Sequence, residues 1–244
     1  MGLIGIALGS FTNVLVSRIP RARGVMNGRS ACPRCGHQIS WSDNIPVLSW
    51  LLLRGRCRHC HEPIAWVYPV VDVAVAALCL VAYGMWGFSA TTVLFMFLAV
   101  VSVALTAIDV EHHRLPHRLV LPSYGIAAGI MVVAWIAGER QSWWSALVGL
   151  GALGGFYGVM WFVYPKGMGF GDVTTAGLLG MVAGFLGLPT LAVGALMGPL
   201  LGGLMVLVLA VSVGVKKGTP VPFGPALIAG AWVGYVWGDP LWRA

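Results

Sequence analysis

The chain has 244 residues, of which 58% are hydrophobic and 9% charged, with a mean hydropathy of +0.85. A soluble domain carries roughly 25% charged residues, so a water-facing globule is excluded and the class is integral membrane protein. The net charge of +7 fits either a nucleic-acid surface or cytoplasmic loops rich in Lys and Arg, and the placement of the charges decides between them.

Crossing the hydrocarbon core takes about 20 apolar residues. Eight runs read as spans: 2–17, 67–86, 91–108, 119–137, 144–164, 173–188, 190–214 and 222–238. The first is followed, not preceded, by basic residues, so no cleavable signal peptide is expected. The runs are too continuous for a membrane β-barrel, and helices satisfy their own backbone polar groups in lipid. The expected fold is therefore all-α and polytopic, with about eight transmembrane helices. It divides into a first helix at 1–17, an insert at 18–66 and a membrane core of about seven helices at 67–244.

The insert holds much of the charge and two Cys-x-x-Cys pairs, Cys32/Cys35 and Cys57/Cys60, with 21 residues between the pairs. Each pair offers two thiolates from one tight turn, and two such turns make a tetrahedral Cys₄ zinc site. A reducing cytoplasmic location argues against disulfides. Four thiolates leave no open position, so the metal would be structural, giving folding energy to an insert too small for a core of its own. His37, His59 and His61 lie near enough in sequence that one could replace a Cys as ligand. Cys79, in an apolar run, reads as a buried residue.

Eight spans sort the basic residues. Thirteen fall on one side, among them the insert arginines, Arg114, Arg118, Lys166, Lys216 and Lys217, and only Arg140 and Arg243 fall on the other. That asymmetry places the insert and the loops at 109–118, 165–172 and 215–221 in the cytoplasm. The arginines are not interleaved with exposed aromatics, so the charge is a topology signal and no nucleic-acid partner is expected. Gly151, Gly154, Gly155 and Gly158 in the fifth run recur at helical spacing, as close helix packing in lipid requires.

Ionisable groups at the membrane are costly and default to functional hypotheses. Asp72, Asp109, Glu111 and Asp172 are the acidic residues so placed. Asp109 closes the third run, and Asp172 opens the sixth after Gly169 and Gly171, so both fall at the cytoplasmic boundary. Two carboxyls at one depth can share a proton, one acting as base toward water and the other as acid toward the scissile carbonyl. Gly169 and Gly171 would remove side chains from the path of an extended substrate. Taken singly, each aspartate could instead cap a helix or pair with an arginine.

Gly169-Phe170-Gly171-Asp172 resembles the Gly-x-Gly-Asp signature of membrane aspartyl peptidases. The wider run Lys166–Asp172, Asp109 with Leu115-Pro116, Gly9-Ser10-Phe11-x-Asn13, Arg18-Ile19-Pro20, Ser42–Trp50, Tyr68-Pro69 and Pro222-Phe223-Gly224-Pro225 resemble the type IV prepilin peptidase family over essentially the whole chain. The chain departs from the family pattern at His117, where Asp or Asn is usual, and at Thr174, where Lys is common. The resemblance implies a bacterial inner-membrane enzyme with the catalytic pair Asp109 and Asp172, supported by Gly169, Gly171, Lys166 and Asp72. It would cut the leader from type IV prepilins or type II secretion pseudopilins, substrates with a basic leader and an apolar helix, at the cytoplasmic face. It would then N-methylate the new terminus from S-adenosylmethionine. A Rossmann-type methyltransferase is not visible in the sequence, so methyl transfer rests on the resemblance alone. Asp72 stands where the family often has Glu, and would position substrate or cofactor or pair with an insert arginine.

Other readings compete. A presenilin-like protease typically has Tyr before its first aspartate, where this chain has Ile108. A proton-coupled transporter places its carboxylates near the midplane, whereas Asp109 and Asp172 fall at the boundary. A zinc-ribbon membrane adaptor leaves the paired aspartates unexplained.

Overall fold

The computed structural model describes residues 1–22, 24–25, 30–139, 142–165, 168–213 and 222–243, without the side chains of 213 and 239–243. In chain order the helices are α1 (Gly2–Arg18), α2 (Leu48–Leu52), α3 (Val67–Trp86), α4 (Ala90–His112), α5 (His117–Ile136), α6 (Trp143–Val163), α7 (Phe170–Leu186), α8 (Leu188–Val213) and α9 (Gly224–Arg243). Among the described residues there are no strands beyond two isolated bridges, Ala31 to Gln38 and Arg56 to Pro63.

Each of the eight apolar runs lies on one long helix. Among the described residues, five of these helices can cross a membrane by length and hydropathy: α3, α4, α5, α6 and most of α8. α1 and α7 are apolar but shorter, so the expected count of eight spans is not reached on those grounds. For α7 the physical reason is its place. It packs against α5, α6, α8 and α9, and every residue from Thr175 to Phe185 is buried. A helix sheathed by protein need not match the thickness of lipid.

The chain forms two compact units, Met1–Ala104 and Leu105–Ala244, with the boundary inside α4. In the first, α1 packs on α3 so closely that a Cβ on Gly9 would stand 2.5 Å from the Asp72 Cα. In the second, the tightest pairs are α6 with α7 and α8 with α9. Their seams are backbone against backbone. A Cβ on Gly149 would enter the Gly180 carbonyl, and one on Gly184 would enter that of Ser145. Across α8 and α9, Gly230 meets Gly198, and Gly234 meets Gly194. Small residues allow this approach, and close van der Waals packing is what drives helices together in lipid. Of the four glycines marked in the sequence, Gly154 and Gly158 face α7 while Gly151 and Gly155 face open space.

Candidate active site

Asp109 lies in the last turn of α4 and is 5% exposed. Its Oδ2 accepts the backbone N–H of Gly224 at 2.9 Å. Gly224 opens α9, where N–H groups have no partner within the helix and the helix dipole favours a negative charge. A Cβ on Gly224 would lie 2.8 Å from Oδ2 of Asp109 and 3.1 Å from Cδ2 of Leu115, so only glycine brings this donor to the carboxylate without displacement. His113, at the C-terminal cap of α4, has a left-handed φ of 52°. Its backbone N–H donates to the Asp109 carbonyl at 2.8 Å.

Asp172 sits in the first turn of α7 and is 9% exposed. Its Oδ2 accepts the N–H of Gly169 at 3.0 Å, and its own N–H donates to the Gly169 carbonyl at 3.1 Å. The two residues thus close the helix start reciprocally. This is the capping role weighed for an isolated aspartate, and the charge of Asp109 acts on this same carboxylate.

Leu115 reaches both Gly171 and Gly224. A Cβ on Gly171 would stand 2.6 Å from the Leu115 carbonyl oxygen and 2.8 Å from its Cβ, while the tip of Leu115 reaches Gly224. Glycine at 171 is therefore accounted for by the close passage of the α4–α5 connection, and the space beside it is filled by Leu115. Gly169 is different: a Cβ there would meet only Oδ2 of Asp172, at 3.4 Å, and the Gly171 amide nitrogen, at 3.9 Å.

The two positions that depart from the family pattern touch one another. Nδ1 of His117 is 3.4 Å from Oγ1 of Thr174, and Oγ1 of Thr174 also donates to the Gly171 carbonyl at 3.0 Å. Tyr124 of α5 donates to the Thr174 carbonyl at 2.6 Å, fixing the start of α7 from a third side. Glu111 is exposed, with His112 3.8 Å away. Lys166 lies outside the described residues. Gly224, which holds Asp109, escaped the sequence reading as a site residue. The signal was its place between two prolines at a helix start.

Asp72 belongs to the first unit. Its Oδ1 accepts from Nδ2 of Asn13 at 2.8 Å, and the same amide donates to the Tyr68 carbonyl at 3.1 Å. This polar clasp locks α1 to α3.

The cysteine insert also lies in the first unit. The ligand atoms of Cys32, Cys35, Cys57 and Cys60 all fall within 4.8 Å of one another, and the sulfurs of Cys32 and Cys60 are 3.8 Å apart. A tetrahedral zinc with Zn–S near 2.3 Å sets its sulfurs about 3.8 Å apart, so the cluster fits such an ion. No histidine belongs to the cluster; the rings of His37 and His59 stack at 3.5 Å instead. Each Cys pair sits in the same turn. Cys32 and Cys57 accept from the residue four positions on, Gly36 and His61, both with positive φ. Backbone N–H groups of Cys35 and Arg34 pull the Cys32 thiol down to about 6. The N–H of Glu62 favours the Cys60 thiolate, but burial and the neighbouring sulfurs push that thiol up to about 12. Four crowded thiolates call for a cation. Arg58 grips Asp43 with two nitrogens, at 2.6 and 2.8 Å, and holds its carboxyl below the usual range.

A bundle of long apolar helices that buries two carboxylates, Asp109 and Asp172, is the architecture of a helical membrane protein. The chain belongs to the type IV leader peptidase family: residues 93–215 match the model of that family, and residues 3–86 match the bacterial peptidase A24 N-terminal domain. Curated relatives include the prepilin leader peptidase/N-methyltransferase of Stutzerimonas stutzeri, 34% identical over 98% of this chain and 90% of its own length. Proteins of the same name from Pseudomonas aeruginosa PAO1 and Aeromonas hydrophila are 32% and 34% identical, covering 99% of this chain and 90% and 91% of their own lengths. No solved structure matches.

Proposed function

We propose that the protein removes the leader peptide of type IV prepilins or type II secretion pseudopilins and N-methylates the exposed residue, with Asp109 and Asp172 as the hydrolytic pair. The observation that carries this reading is that both carboxylates are buried, each is oriented by a glycine N–H, and each lies against Leu115 or its glycine neighbours. Two such carboxyls in one low-dielectric site share a proton and titrate as a unit. The ionised one accepts a proton from water as it attacks the scissile carbonyl. The protonated one donates to that carbonyl oxygen and later to the leaving amine. The substrate's apolar segment lies in the bilayer beside the pair, which is why the protease itself is a membrane protein.

The cysteine tetrad holds a structural zinc in this reading, with no part in hydrolysis. The concentration of basic residues on the insert side supports a cytoplasmic insert and site in a bacterial inner membrane. Asp72 and Lys166 are offered as residues that position substrate, Asp72 through its clasp with Asn13. S-adenosylmethionine is the methyl donor this activity implies. Among the described residues no strand precedes a glycine loop, so a Rossmann-type cradle for it does not fit.

The test is leader removal from a co-expressed prepilin by wild type, Asp109→Asn and Asp172→Asn, with membrane insertion checked for each. Loss of cleavage in both inserted variants supports the pair; wild-type cleavage by either one sinks it. Mass spectrometry of the processed N-terminus then tests methylation.

A further inference from the structure

Two buried hydroxyls in the second unit make no hydrogen bond among the described residues. They belong to Tyr157 of α6, 1% exposed, and Thr175 of α7, 0% exposed. Most buried side-chain polar atoms do find one. The contrast within the same unit is sharp. Tyr124 and Tyr235 donate to α7 carbonyls, those of Thr174 and Leu179. Helical Ser and Thr commonly return their hydroxyl to the preceding turn, as Ser123 does to Leu119 and Thr174 does to Gly171. Thr175 does not.

Thr175 lies on α7 with Asp172, and Tyr157 lies on α6, which packs along α7, with its hydroxyl beside Gly198 of α8. Thr175 follows Asp172 by three residues and shares its face of α7. Tyr157 lies within electrostatic range of Asp172. Its ring centroid is 5.9 Å from that of Phe223, the residue before the Gly224 that holds Asp109. A hydroxyl left unsatisfied in an apolar interior is costly, and such costs persist where function needs the group. A buried water needs two to four polar partners, and Tyr157, Thr175 and the second oxygen of Asp172 are three.

We infer that Tyr157 and Thr175 line a small polar subsite behind Asp172 that takes one water molecule, and that Tyr157 is a positioning residue. Its hydroxyl, through that water, orients the Asp172 oxygen that Gly169 does not hold. The inference rests on Asp172 being one of the hydrolytic pair.

The experiment compares purified wild type, Tyr157→Phe, Thr175→Val, Asp109→Asn and Asp172→Asn on one prepilin substrate, measuring kcat, KM and thermal midpoint. Tyr157→Phe removes one oxygen and keeps the ring. It is expected to lower kcat roughly tenfold, as loss of one orienting hydrogen bond would. KM should stay within about twofold, and the thermal midpoint should be nearly unchanged, because the ring that fills the site is kept and only a water-mediated bond is lost. Thr175→Val should lower kcat in the same sense. Unchanged kcat in Tyr157→Phe overturns the subsite. So does a fall in kcat matched by a fall in thermal midpoint, which marks packing, or a rise in KM at constant kcat, which marks substrate contact. Inactive aspartate variants beside a fully active Tyr157→Phe reject the subsite alone. Active aspartate variants reject the hydrolytic pair itself.

Discussion

Replacing Gly224 by Ala isolates the donor that holds Asp109. The new Cβ would stand 2.8 Å from Oδ2 of Asp109 and 3.1 Å from Cδ2 of Leu115, closer than carbon and oxygen or two carbons rest. Gly224 does not have a positive φ, so no left-handed strain arises; a Cβ on the residue before Pro225 disfavours the helical region, a cost confined to the first turn of α9. The atom struck hardest is the end of a short side chain, which can rotate away. The cost therefore falls on the carboxylate's position and on its 2.9 Å bond from the Gly224 N–H, and the fold is spared. A hydrogen bond to a charged group is worth about 1.5–3 kcal/mol, which corresponds to roughly 10- to 150-fold in rate. Gly224→Ala is expected to insert normally, keep its thermal midpoint and cleave prepilin more slowly by that factor, read as the initial rate of leader removal in detergent or nanodiscs. A rate within about twofold of wild type would show that Asp109 does not depend on this donor, and the assignment of Gly224 to the site would be withdrawn.

Other expectations follow from the same geometry. The tetrad should bind one zinc ion per chain, and Cys57→Ser or prolonged chelation should release it and open the insert to proteolysis; metal analysis showing no zinc in the purified wild type would refute this. Gly180→Val drives a side chain into the Gly149 carbonyl at the α6–α7 seam, and overpacking of this kind costs about 1–3 kcal/mol or more. A thermal midpoint equal to that of wild type would refute the tight seam. His117→Asp with Thr174→Lys puts an ion pair where the two side chains now meet at 3.4 Å. A double-mutant cycle on thermal stability should give a favourable coupling of about 0.2–1 kcal/mol, and strict additivity would count against the contact.

Hydropathy located every long helix because each apolar run is continuous, and the positions of Asp109 and Asp172 at helix ends followed from the run boundaries. The cysteine spacing likewise forecast the sulfur cluster, since a Cys-x-x-Cys turn fixes its own geometry. What hydropathy could not give was which glycines face a neighbour. Gly151 and Gly154 have the same side chain, and only the rotation of α6 against α7 distinguishes them. Leu115 reads as one more apolar residue until the fold carries it past Gly171 and Gly224. The similarity of the two cysteine turns was hidden because, beside the cysteines, few positions repeat 25 apart, Arg29/Arg54, Ile39/Ile64 and Trp41/Trp66; the matching bridges and positive φ values belong to the backbone.

The glycine seams also decide what can move. Helices joined by side chains can slide as rotamers exchange, but helices in backbone contact have nothing to exchange, so α6 with α7 and α8 with α9 each travel as one block. Asp172 rides on the first block, and the Gly224 that grips Asp109 rides on the second. The two carboxylates are thus tied to different blocks, Asp172 by its own helix and Asp109 through the N–H of Gly224. Any breathing of the bundle wide enough to admit an extended peptide would loosen the pair at the same instant, and closing around the peptide would rebuild it. With Asp109 and Asp172 as the proposed hydrolytic pair, the protease is armed only when its substrate is enclosed, a safeguard for an enzyme surrounded by the helices of other membrane proteins.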